Sequence, residues 1–542
     1  MHKIVRAALA AATIAAPALA APALATPPKL IVAISVDQFS ADLFDEYRPA
    51  FSGGLARMAS GAAYRNGWQG HAATETCPGH STILTGDRPA RTGIIANTWF
   101  DQSQARSDKA VYCAEDERVP GSSSSSYTVS PLHLRVPTLG ERLQLASPQS
   151  RSVAVAGKDR AAVMMGGHKL DQRWYWDGKK YATDLPGVRV PASLSATNAA
   201  VARLIAAPGE PLESPDLCRA KAKAIAVGGD GKTVGSGAFA RVAGDANSFR
   251  ASPAFDGATL ALAAGLIGEM KLGQGPATDL IAIGASATDY VGHTYGTEGQ
   301  EMCLQLLSLD RDLGDFFALF DRQGLDYAVV LTADHGGNDL PEREQLAGVA
   351  GAARVDPALM PGTVGKAIAA KLGLGGSVLV GDAPFGNLYL DRALSPADRA
   401  RALAAAVSYY QASPQVEAVF THAQLNRAPL PTGDPATWSL RDRARASFDD
   451  QRSGDFVVLL RRRVTPIADT KAYVATHGSA WDYDRRVPIL FWRAGMAAAP
   501  SNAPVETIDI APTLAAWIGL KIERGAIDGY CVTTVPGISC PR

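Results

Sequence analysis

Charge of one sign is what this sequence most clearly lacks. Its 542 residues include 53 Lys and Arg and 53 Asp and Glu, so the formal net charge is zero. A balance of this kind gives no support for a nucleic acid or an anionic membrane held by bulk charge, and neither partner is expected. An anionic ligand must therefore be bound by a local arrangement of side chains.

A thiolate metal site is also not expected, because the sequence contains no Cys-x-x-Cys pair. The six cysteines are even in number, which in an oxidising compartment predicts three disulfides, although fifteen pairings are possible. Cys531 and Cys540 form the safest pair, since they lie close together in the sequence. The pairs Cys77–Cys113 and Cys218–Cys303 then follow by neighbourhood along the chain.

After residue 25, no stretch is long and apolar enough to span a bilayer. Up to residue 25, Lys3 and Arg6 precede an alanine-rich run, and the Ala-Leu-Ala sequences at 18–20 and 23–25 offer small-residue cleavage sites. This pattern predicts a secretory signal peptide at residues 1–25 and an exported protein, periplasmic or extracellular. The alternative is a membrane anchor, but two prolines interrupt the run and alanine is only weakly apolar.

Strands alternate with helices along the rest of the chain. Near-continuous apolar runs predict strands buried on both faces at 30–36, 152–156, 279–285, 327–331 and 487–492. Helical segments are predicted at 40–58, 253–270 and 303–320. This order predicts an α/β fold with a mostly parallel central sheet flanked by helices. In such sheets, ligands bind outside the carboxyl ends of the strands.

We expect residues 26–542 to form one catalytic domain. The interval at about 340–475 has strands and helices of its own, and we interpret it as a cap or subdomain inserted into the main sheet. The sequence at 174–181 predicts a β-hairpin with an Asp-Gly turn.

Acidic and histidine side chains follow several of the predicted strands. Asp37 ends the first strand, Asp289 and His293 are spaced four apart, and Asp334 is followed directly by His335. His477 precedes the last strand. A lone Asp at a strand end is more often a turn or cap residue. Together, however, three carboxylates and three imidazoles at one sheet edge form a ligand set for two zinc ions, which can clamp a phosphoryl group.

A possible nucleophile lies in the segment 74–80. The residues at 81–86 predict a helix start, so the hydroxyl of Thr76 lies near a helix N-terminus, where backbone N–H groups favour negative charge. The alternative is that Thr76 or Thr74 is only an N-cap.

In this order, these motifs resemble the alkaline phosphatase superfamily over almost the whole mature chain. The segment 94–101, which contains Asn97, resembles the stretch after the nucleophile in threonine-using members. Lys158-Asp159-Arg160 resembles the Lys-x-Arg element of the PafA/PhoK-type phosphomonoesterases.

The resemblance implies two Zn²⁺ ions per chain. One is held by Asp289, His293 and His477. The other is held by Asp37, Thr76, Asp334 and His335. It further implies that Thr76 attacks phosphorus and forms a phosphothreonine, and that Asn97, Lys158 and Arg160 bind the phosphoryl oxygens. The implied function is a secreted alkaline phosphatase that acts on small phosphate monoesters and releases inorganic phosphate.

Other functions stay open at this point. A nucleotide pyrophosphatase/phosphodiesterase of the same superfamily shares the metal ligands and the threonine, but lacks the Lys-x-Arg element. In a sulfatase, a cysteine would stand at position 76, and a phosphoglycerate-mutase-like enzyme would be cytosolic. A non-catalytic exported protein that binds zinc or phosphate is the alternative of another class. The natural substrate and the oligomeric state are not predicted.

Overall fold

The computed structural model describes residues 26–229, 231–237 and 239–541. The predicted signal peptide, residues 1–25, lies outside the described residues. Across these ranges, no helix combines the length and the apolar character that a membrane span requires.

The strands have the following bounds: β1 (Leu30–Val36), β2 (Ala62–Trp68), β3 (Thr98–Phe100), β4 (Ala110–Tyr112), β5 (Ser152–Ala156), β6 (Gln172–Trp176), β7 (Tyr181–Ala182), β8 (Ile225–Val227), β9 (Lys232–Val234), β10 (Asp279–Ala285), β11 (Tyr327–Thr332), β12 (Ala353–Arg354), β13 (Leu379–Val380), β14 (Gly386–Leu390), β15 (Val416–Thr421), β16 (Phe456–Leu460), β17 (Val464–Thr465), β18 (Arg486–Arg493) and β19 (Val505–Glu506).

The α-helices have these bounds: α1 (Ala41–Tyr47), α2 (Gly54–Ala59), α3 (Thr76–Ile83), α4 (Pro89–Thr92), α5 (Leu139–Ala146), α6 (Asp159–Gly166), α7 (Ala192–Ala206), α8 (Asp216–Arg219), α9 (Ala246–Arg250), α10 (Pro253–Glu269), α11 (Ala287–Tyr295), α12 (Gln300–Arg322), α13 (Pro341–Leu346), α14 (Pro361–Leu372), α15 (Pro396–Gln411), α16 (His422–Arg427), α17 (Leu440–Ala446), α18 (Asp482–Arg485) and α19 (Ile510–Trp517).

A nine-stranded sheet in the order β19-β2-β18-β11-β1-β10-β5-β6-β7 forms the centre of the fold. Its central strands pair in parallel, β11 with β1, β1 with β10 and β10 with β5. In β1, Val32 and Ile34 pack into the hydrophobic cluster on one face, and Ile31 and Ala33 pack into the cluster on the other. Helices cover both faces, which explains the unbroken apolar runs and confirms the predicted α/β fold.

One predicted strand runs against the parallel direction of the sheet, and one predicted helix differs from the structure. The predicted strand at 487–492 is present as β18, but it runs antiparallel to both β11 and β2. The predicted helix at 40–58 is wrong, because α1 ends in a 3-10 turn at Arg48–Ala50 and α2 starts separately. The carboxylate of Asp310, on the distant helix α12, accepts hydrogen bonds from the backbone N–H groups of Ser52, Gly53 and Leu55 and so caps α2. A local sequence pattern does not contain that cap.

The interval between β11 and β18 has its own architecture. It contains a four-stranded sheet in the order β13-β14-β16-β15. Helices α14 and α15 pack against this sheet around a separate hydrophobic cluster that includes Ile368, Leu388, Tyr410 and Phe456. This segment is described below as the 340–475 segment.

Three disulfides tie the chain together, Cys77–Cys113, Cys218–Cys303 and Cys531–Cys540. These are the pairs that neighbourhood along the chain predicts. The predicted hairpin is also present, as the antiparallel pair of β6 and β7. Trp176 of this hairpin packs against Phe249 and Phe255 in the core.

Candidate active site

Polar side chains from four neighbouring strands meet at one edge of the central sheet. The strands β11, β1, β10 and β5 are adjacent in that order. Asp334, Asp37, Asp289 and Lys158 follow them at their carboxyl ends. Because parallel strands end at the same edge, residues more than 290 positions apart become neighbours, as when the backbone N–H of Gln38 donates to Asp334 Oδ1 at 3.2 Å with a separation of 296.

Thr76 is the first residue of α3, five positions earlier than the sequence predicts for the helix start. Glu75 occupies the N-cap position, and no side-chain cap is formed. The hydroxyl of Thr74 donates to the carbonyl of Ser479 at 2.7 Å. Neither threonine is therefore the N-cap, and the buried hydroxyl of Thr76 lies in the first turn of a helix.

Helix α3 packs directly against the end of β11. A Cβ atom at Gly79 would lie 2.0 Å from the carbonyl oxygen of Asp334, so this approach requires glycine. His80 Nδ1 lies 2.9 Å from the carbonyl oxygen of Thr76 and 3.0 Å from Asp334 Oδ2. His80 thus joins the helix that carries Thr76 to one of the candidate metal ligands.

Three imidazoles share one orientation. The Nδ1 atoms of His293, His335 and His477 each lie 2.8 Å from a backbone carbonyl, those of Ala475, Gly336 and Thr74 respectively. A carbonyl only accepts hydrogen bonds, so each Nδ1 carries the proton and each Nε2 offers a lone pair. This is the arrangement found behind metal-ligating histidines.

The free Nε2 atoms face carboxylates. Those of His293 and His477 lie 3.2 and 3.4 Å from Asp289 Oδ1. His335 Nε2 lies 3.2 Å from Asp334 Oδ2 and 3.5 Å from Asp37 Oδ1. Two groups have ligand atoms all within 4.8 Å of one another and could hold a metal ion, Asp289 with His293 and His477, and Asp37 with Asp289 and His335.

Several of these donor atoms are buried without a hydrogen-bond partner. They are Asp37 Oδ1, Asp289 Oδ1, Asp334 Oδ2 and His335 Nε2. Buried polar atoms are normally satisfied, and a cluster of orphaned carboxylate and imidazole atoms is the donor set that suits a divalent cation such as zinc. The residues present therefore fit a metal centre.

The pKa shifts of the carboxyl groups at the sheet edge also favour a metal centre. Burial and the neighbouring Asp334 raise the pKa of Asp37 well above its usual range. Burial acts against the charged form of Asp289 as well, but His293 and Lys158 outweigh it and lower the pKa of this carboxyl. Crowded buried carboxylates of this kind favour a bound cation.

Two cations lie beside the Thr76 hydroxyl. Lys158 Nζ and Arg160 Nη2 each lie 3.4 Å from Thr76 Oγ1. Lys158 Nζ also contacts Asp37 Oδ2 at 2.6 Å and Asp289 Oδ2 at 2.5 Å. Burial opposes the charge of Lys158, but Asp289 and Asp37 outweigh it and raise its pKa, so the ammonium stays charged.

An aromatic pair supports the guanidinium. Arg160 Nη1 donates to the hydroxyl of Tyr112 at 3.4 Å, and Tyr112 in turn donates to Asp159 Oδ1 at 2.8 Å. Tyr127 donates to Asp159 Oδ2 at 2.7 Å. Asn97 lies on the wall of the same cavity, and its backbone N–H donates to Glu75 Oε2 at 2.8 Å.

A cavity of about 610 Å³ opens over this edge. Asn97, Arg160, Asp289, His293 and His477 lie on its wall, and the 340–475 segment contributes further wall residues, among them Asp382, Phe385, Asn387, Tyr389 and Phe448. The structure thus brings all ten predicted metal-binding, catalytic and substrate-binding residues to one cavity or directly beneath it.

Residues 31–480 match the family model described as type I phosphodiesterase / nucleotide pyrophosphatase. The chain belongs to this family. The match covers the strands that carry Asp37, Lys158, Asp289 and Asp334, together with His477.

Within this family, alkaline phosphatase PhoK of a Sphingomonas species is 54% identical over 514 residues, which are 94% of this chain and 92% of PhoK. Alkaline phosphatase PhoD of Zymomonas mobilis is 47% identical over 519 residues, 95% of this chain and 89% of PhoD. A crystal structure of alkaline phosphatase PafA, in a variant substituted at a threonine, an asparagine, a lysine and an arginine, superposes with a TM-score of 0.80 at 25% identity. It covers 95% of this chain and 100% of that one.

These similarities confirm the predicted resemblance to the PafA/PhoK-type members of the alkaline phosphatase superfamily, and with it that the chain is an enzyme. Sequence reasoning missed several residues of the cavity. Glu75, which holds the backbone of Asn97, carries no motif of its own. Arg250, Tyr290 and Tyr473 reach the cavity from segments far apart in the sequence.

Proposed function

We propose that this enzyme is an exported, zinc-dependent alkaline phosphatase that hydrolyses phosphate monoesters through a covalent phosphothreonine at Thr76. The observation that carries the proposal is the position of Lys158 Nζ and Arg160 Nη2, each 3.4 Å from Thr76 Oγ1 beside the carboxylate and histidine cluster. A nucleophile flanked by two cations and a metal centre suits a dianionic phosphoryl group.

We assign two zinc ions to the donor atoms at the sheet edge. Asp289, His293 and His477 would hold one ion, on the side of the leaving group. The other would be held by Asp37, Asp334 and His335, with the hydroxyl of Thr76 as a further ligand. Bound zinc supplies positive charge close to the attacking and leaving oxygens.

Thr76 is the residue that we assign to bond formation. Its Oγ loses its proton and forms a bond to phosphorus while the bond between phosphorus and the leaving oxygen breaks. The leaving oxygen takes up a proton and departs as the alcohol, and the phosphoryl group stays on the enzyme. Water then cleaves the phosphothreonine and releases inorganic phosphate. The position of Thr76 in the first turn of α3 supports this role, because the positive end of the helix dipole favours negative charge there.

Lys158, Arg160 and Asn97 bind the phosphoryl oxygens in this proposal. Arg160 can donate to two oxygens with a fixed geometry, and Lys158 supplies a compact charge. A monoester presents two free anionic oxygens to these groups. In a diester, one of these oxygens carries a second ester group and no charge. The transition state of the monoester is therefore stabilised more strongly, which argues for a monoesterase.

A nucleotide pyrophosphatase or phosphodiesterase is the second candidate, because the family model carries that description. Two observations favour the monoesterase. The two cations lie within reach of Thr76, and the relatives at 54% and 47% identity are alkaline phosphatases. These relatives also count against the non-catalytic alternative.

Export and a role for the 340–475 segment complete the proposal. Three disulfides suit an oxidising compartment such as the periplasm. The 340–475 segment acts as a cap, because its residues Phe385, Tyr389 and Phe448 line the cavity in which the leaving group would lie.

Trapping of the phosphoenzyme tests this proposal. Zinc-loaded protein is mixed with a phosphate monoester, quenched in acid and mapped by peptide mass spectrometry. We expect phosphate on Thr76, its transfer to serine in Thr76→Ser, and its loss together with turnover in Thr76→Ala. Treatment with EDTA should abolish turnover and labelling, and zinc should restore both. Turnover that persists in Thr76→Ala, or after complete metal removal, would contradict the proposal.

A further inference from the structure

One cation of the cavity has no role in the mechanism above. Of the arginines in the described part of the chain, two line the cavity, Arg160 and Arg250. Arg160 donates to Thr76, whereas the hydrogen bonds of Arg250 go to the hydroxyl of Tyr290, at 3.3 Å, and to the side chain of Asn247. Arg250 therefore has a different role in the cavity from Arg160, which binds the phosphoryl group in the proposed function.

Arg250 is held at a fixed point of the wall. It is the last residue of α9, and its neighbour Phe249 is fully buried against Trp176 and Phe255. Its guanidinium carbon lies 4.5 Å from the ring centroid of Tyr290, a cation–π contact that orients the side chain. The arginine is therefore preorganised rather than free to turn into solvent.

The surroundings of Arg250 leave its charge unpaired. Among the described residues, no carboxylate lies within ion-pair distance of its guanidinium, whereas Lys158 contacts both Asp37 and Asp289. Arg250 is partly buried, and only neutral oxygens accept its hydrogen bonds. A fixed guanidinium with spare N–H donors in a cavity is a binding group for an anion.

The position of Arg250 indicates which part of a substrate it would meet. Tyr290 follows Asp289 directly, and the ring of Tyr473 packs on His293 with centroids 4.5 Å apart. The guanidinium carbon of Arg250 and Lys158 Nζ both lie over the ring of Tyr290, 4.5 and 5.1 Å from its centroid. Arg250 thus lies beside the Asp289, His293 and His477 group, on the leaving-group side of the site.

We propose that Arg250 is a specificity-determining residue that favours phosphate monoesters whose leaving group carries a second anionic group, a carboxylate or another phosphate. This inference rests on the proposed function, since it takes the phosphoryl group to lie at Thr76. Arg160 and Lys158 then bind the phosphoryl end of the substrate, and Arg250 binds the anionic end of the leaving group.

Binding of non-hydrolysable ligands tests the inference without relying on turnover. The ligands are ω-carboxyalkylphosphonates with one to three methylene groups and the matching carboxamides, titrated calorimetrically into the zinc-loaded protein. We expect the carboxylate to bind about tenfold more tightly than the carboxamide at one chain length, the effect of one charge-assisted hydrogen bond. The preference should disappear in Arg250→Gln and be partly retained in Arg250→Lys. The exposed Arg189 lies outside the cavity wall, and Arg189→Gln should keep the full preference.

The outcomes separate the two proposals. If both ligands bind but the preference is absent at every chain length, or survives in Arg250→Gln, the assignment of Arg250 is overturned and the phosphate site stands. If neither phosphonate binds the zinc-loaded protein, the proposed function fails, and the assignment of Arg250 fails with it.

Discussion

The side-chain carbonyl oxygen of Asn97 accepts a hydrogen bond from the backbone N–H of Cys77 at 2.8 Å. Cys77 directly follows Thr76, so the carboxamide of Asn97 is fixed to the first turn of α3. The backbone carbonyl of Asn97 also accepts from the N–H of Cys113, the disulfide partner of Cys77. With its oxygen engaged, Asn97 keeps the two N–H donors of its Nδ2 for a ligand in the cavity.

Replacing Asn97 should therefore weaken transition-state stabilisation. We expect Asn97→Ala to lower kcat/KM for a phosphate monoester by about a hundredfold, the effect of losing one preorganised donor. Asn97→Asp should lower kcat/KM further than Asn97→Ala does. Its carboxylate can still accept the hydrogen bond from the Cys77 N–H, but it repels the phosphate. Steady-state kinetics on the zinc-loaded variants tests this order, and an aspartate variant as active as wild type would contradict it.

The disulfide Cys77–Cys113 connects both sides of the proposed site. Cys77 follows Thr76, and Cys113 follows Tyr112, whose hydroxyl supports Arg160. We expect the double variant Cys77→Ala/Cys113→Ala to lower the free energy of unfolding by about 4 kcal/mol, since the bond closes a loop of 36 residues. Its kcat/KM should fall as well, because Thr76 and Arg160 lose their common support.

The variant Cys531→Ala/Cys540→Ala is the matched control. This bond closes a loop of 9 residues near the end of the chain. Its removal should lower the free energy of unfolding by less than removal of Cys77–Cys113 does. It should leave kcat/KM within about twofold of wild type. Equal losses of activity in the two double variants would show that disulfides matter here only for general stability.

A buried glutamine fastens α3 to the end of β11. Gln69 Nε2 donates to the carbonyls of Ala333, at 3.1 Å, and Gly79, at 3.4 Å, while its Oε1 accepts from Thr507 at 2.9 Å. Gln69→Leu leaves these buried groups without partners, so we expect it to lower the free energy of unfolding by about 2–4 kcal/mol. Denaturant unfolding measures this loss. In the control Gln323→Leu, at an exposed position, the change should stay within about 0.5 kcal/mol.

Much of the fold can be read from the sequence. The strands β1, β5 and β10 have the predicted bounds, because each is an apolar run buried on both faces. The edge of the sheet that carries the candidate metal ligands also follows from the sequence, because parallel strands all end at the same edge. The break between α1 and α2 could not be predicted, since the cap on α2 comes from Asp310 in another helix.

The cavity was less accessible to sequence reasoning than the metal ligands. Asp334 and His335 follow an apolar run that predicts a strand. Arg250 and Tyr473 lie in segments without a periodic pattern of apolar residues. Their positions depend on how α9 and the loop before α18 pack over the sheet edge, which only tertiary contacts determine. Arg250, Tyr290 and Tyr473, which line the cavity beside the candidate metal ligands, are for this reason residues that the sequence did not reveal.

The most direct test of the central claim compares kcat/KM for p-nitrophenyl phosphate with kcat/KM for bis-p-nitrophenyl phosphate. Wild type and Lys158→Ala/Arg160→Ala are both assayed after reconstitution with zinc. The wild type should strongly prefer the monoester, and the double variant should lose about 10²- to 10³-fold of that preference, because both cations act on the oxygen that a diester esterifies. A wild type that prefers the diester, or a ratio unchanged by the two substitutions, would contradict the assignment as a monoesterase.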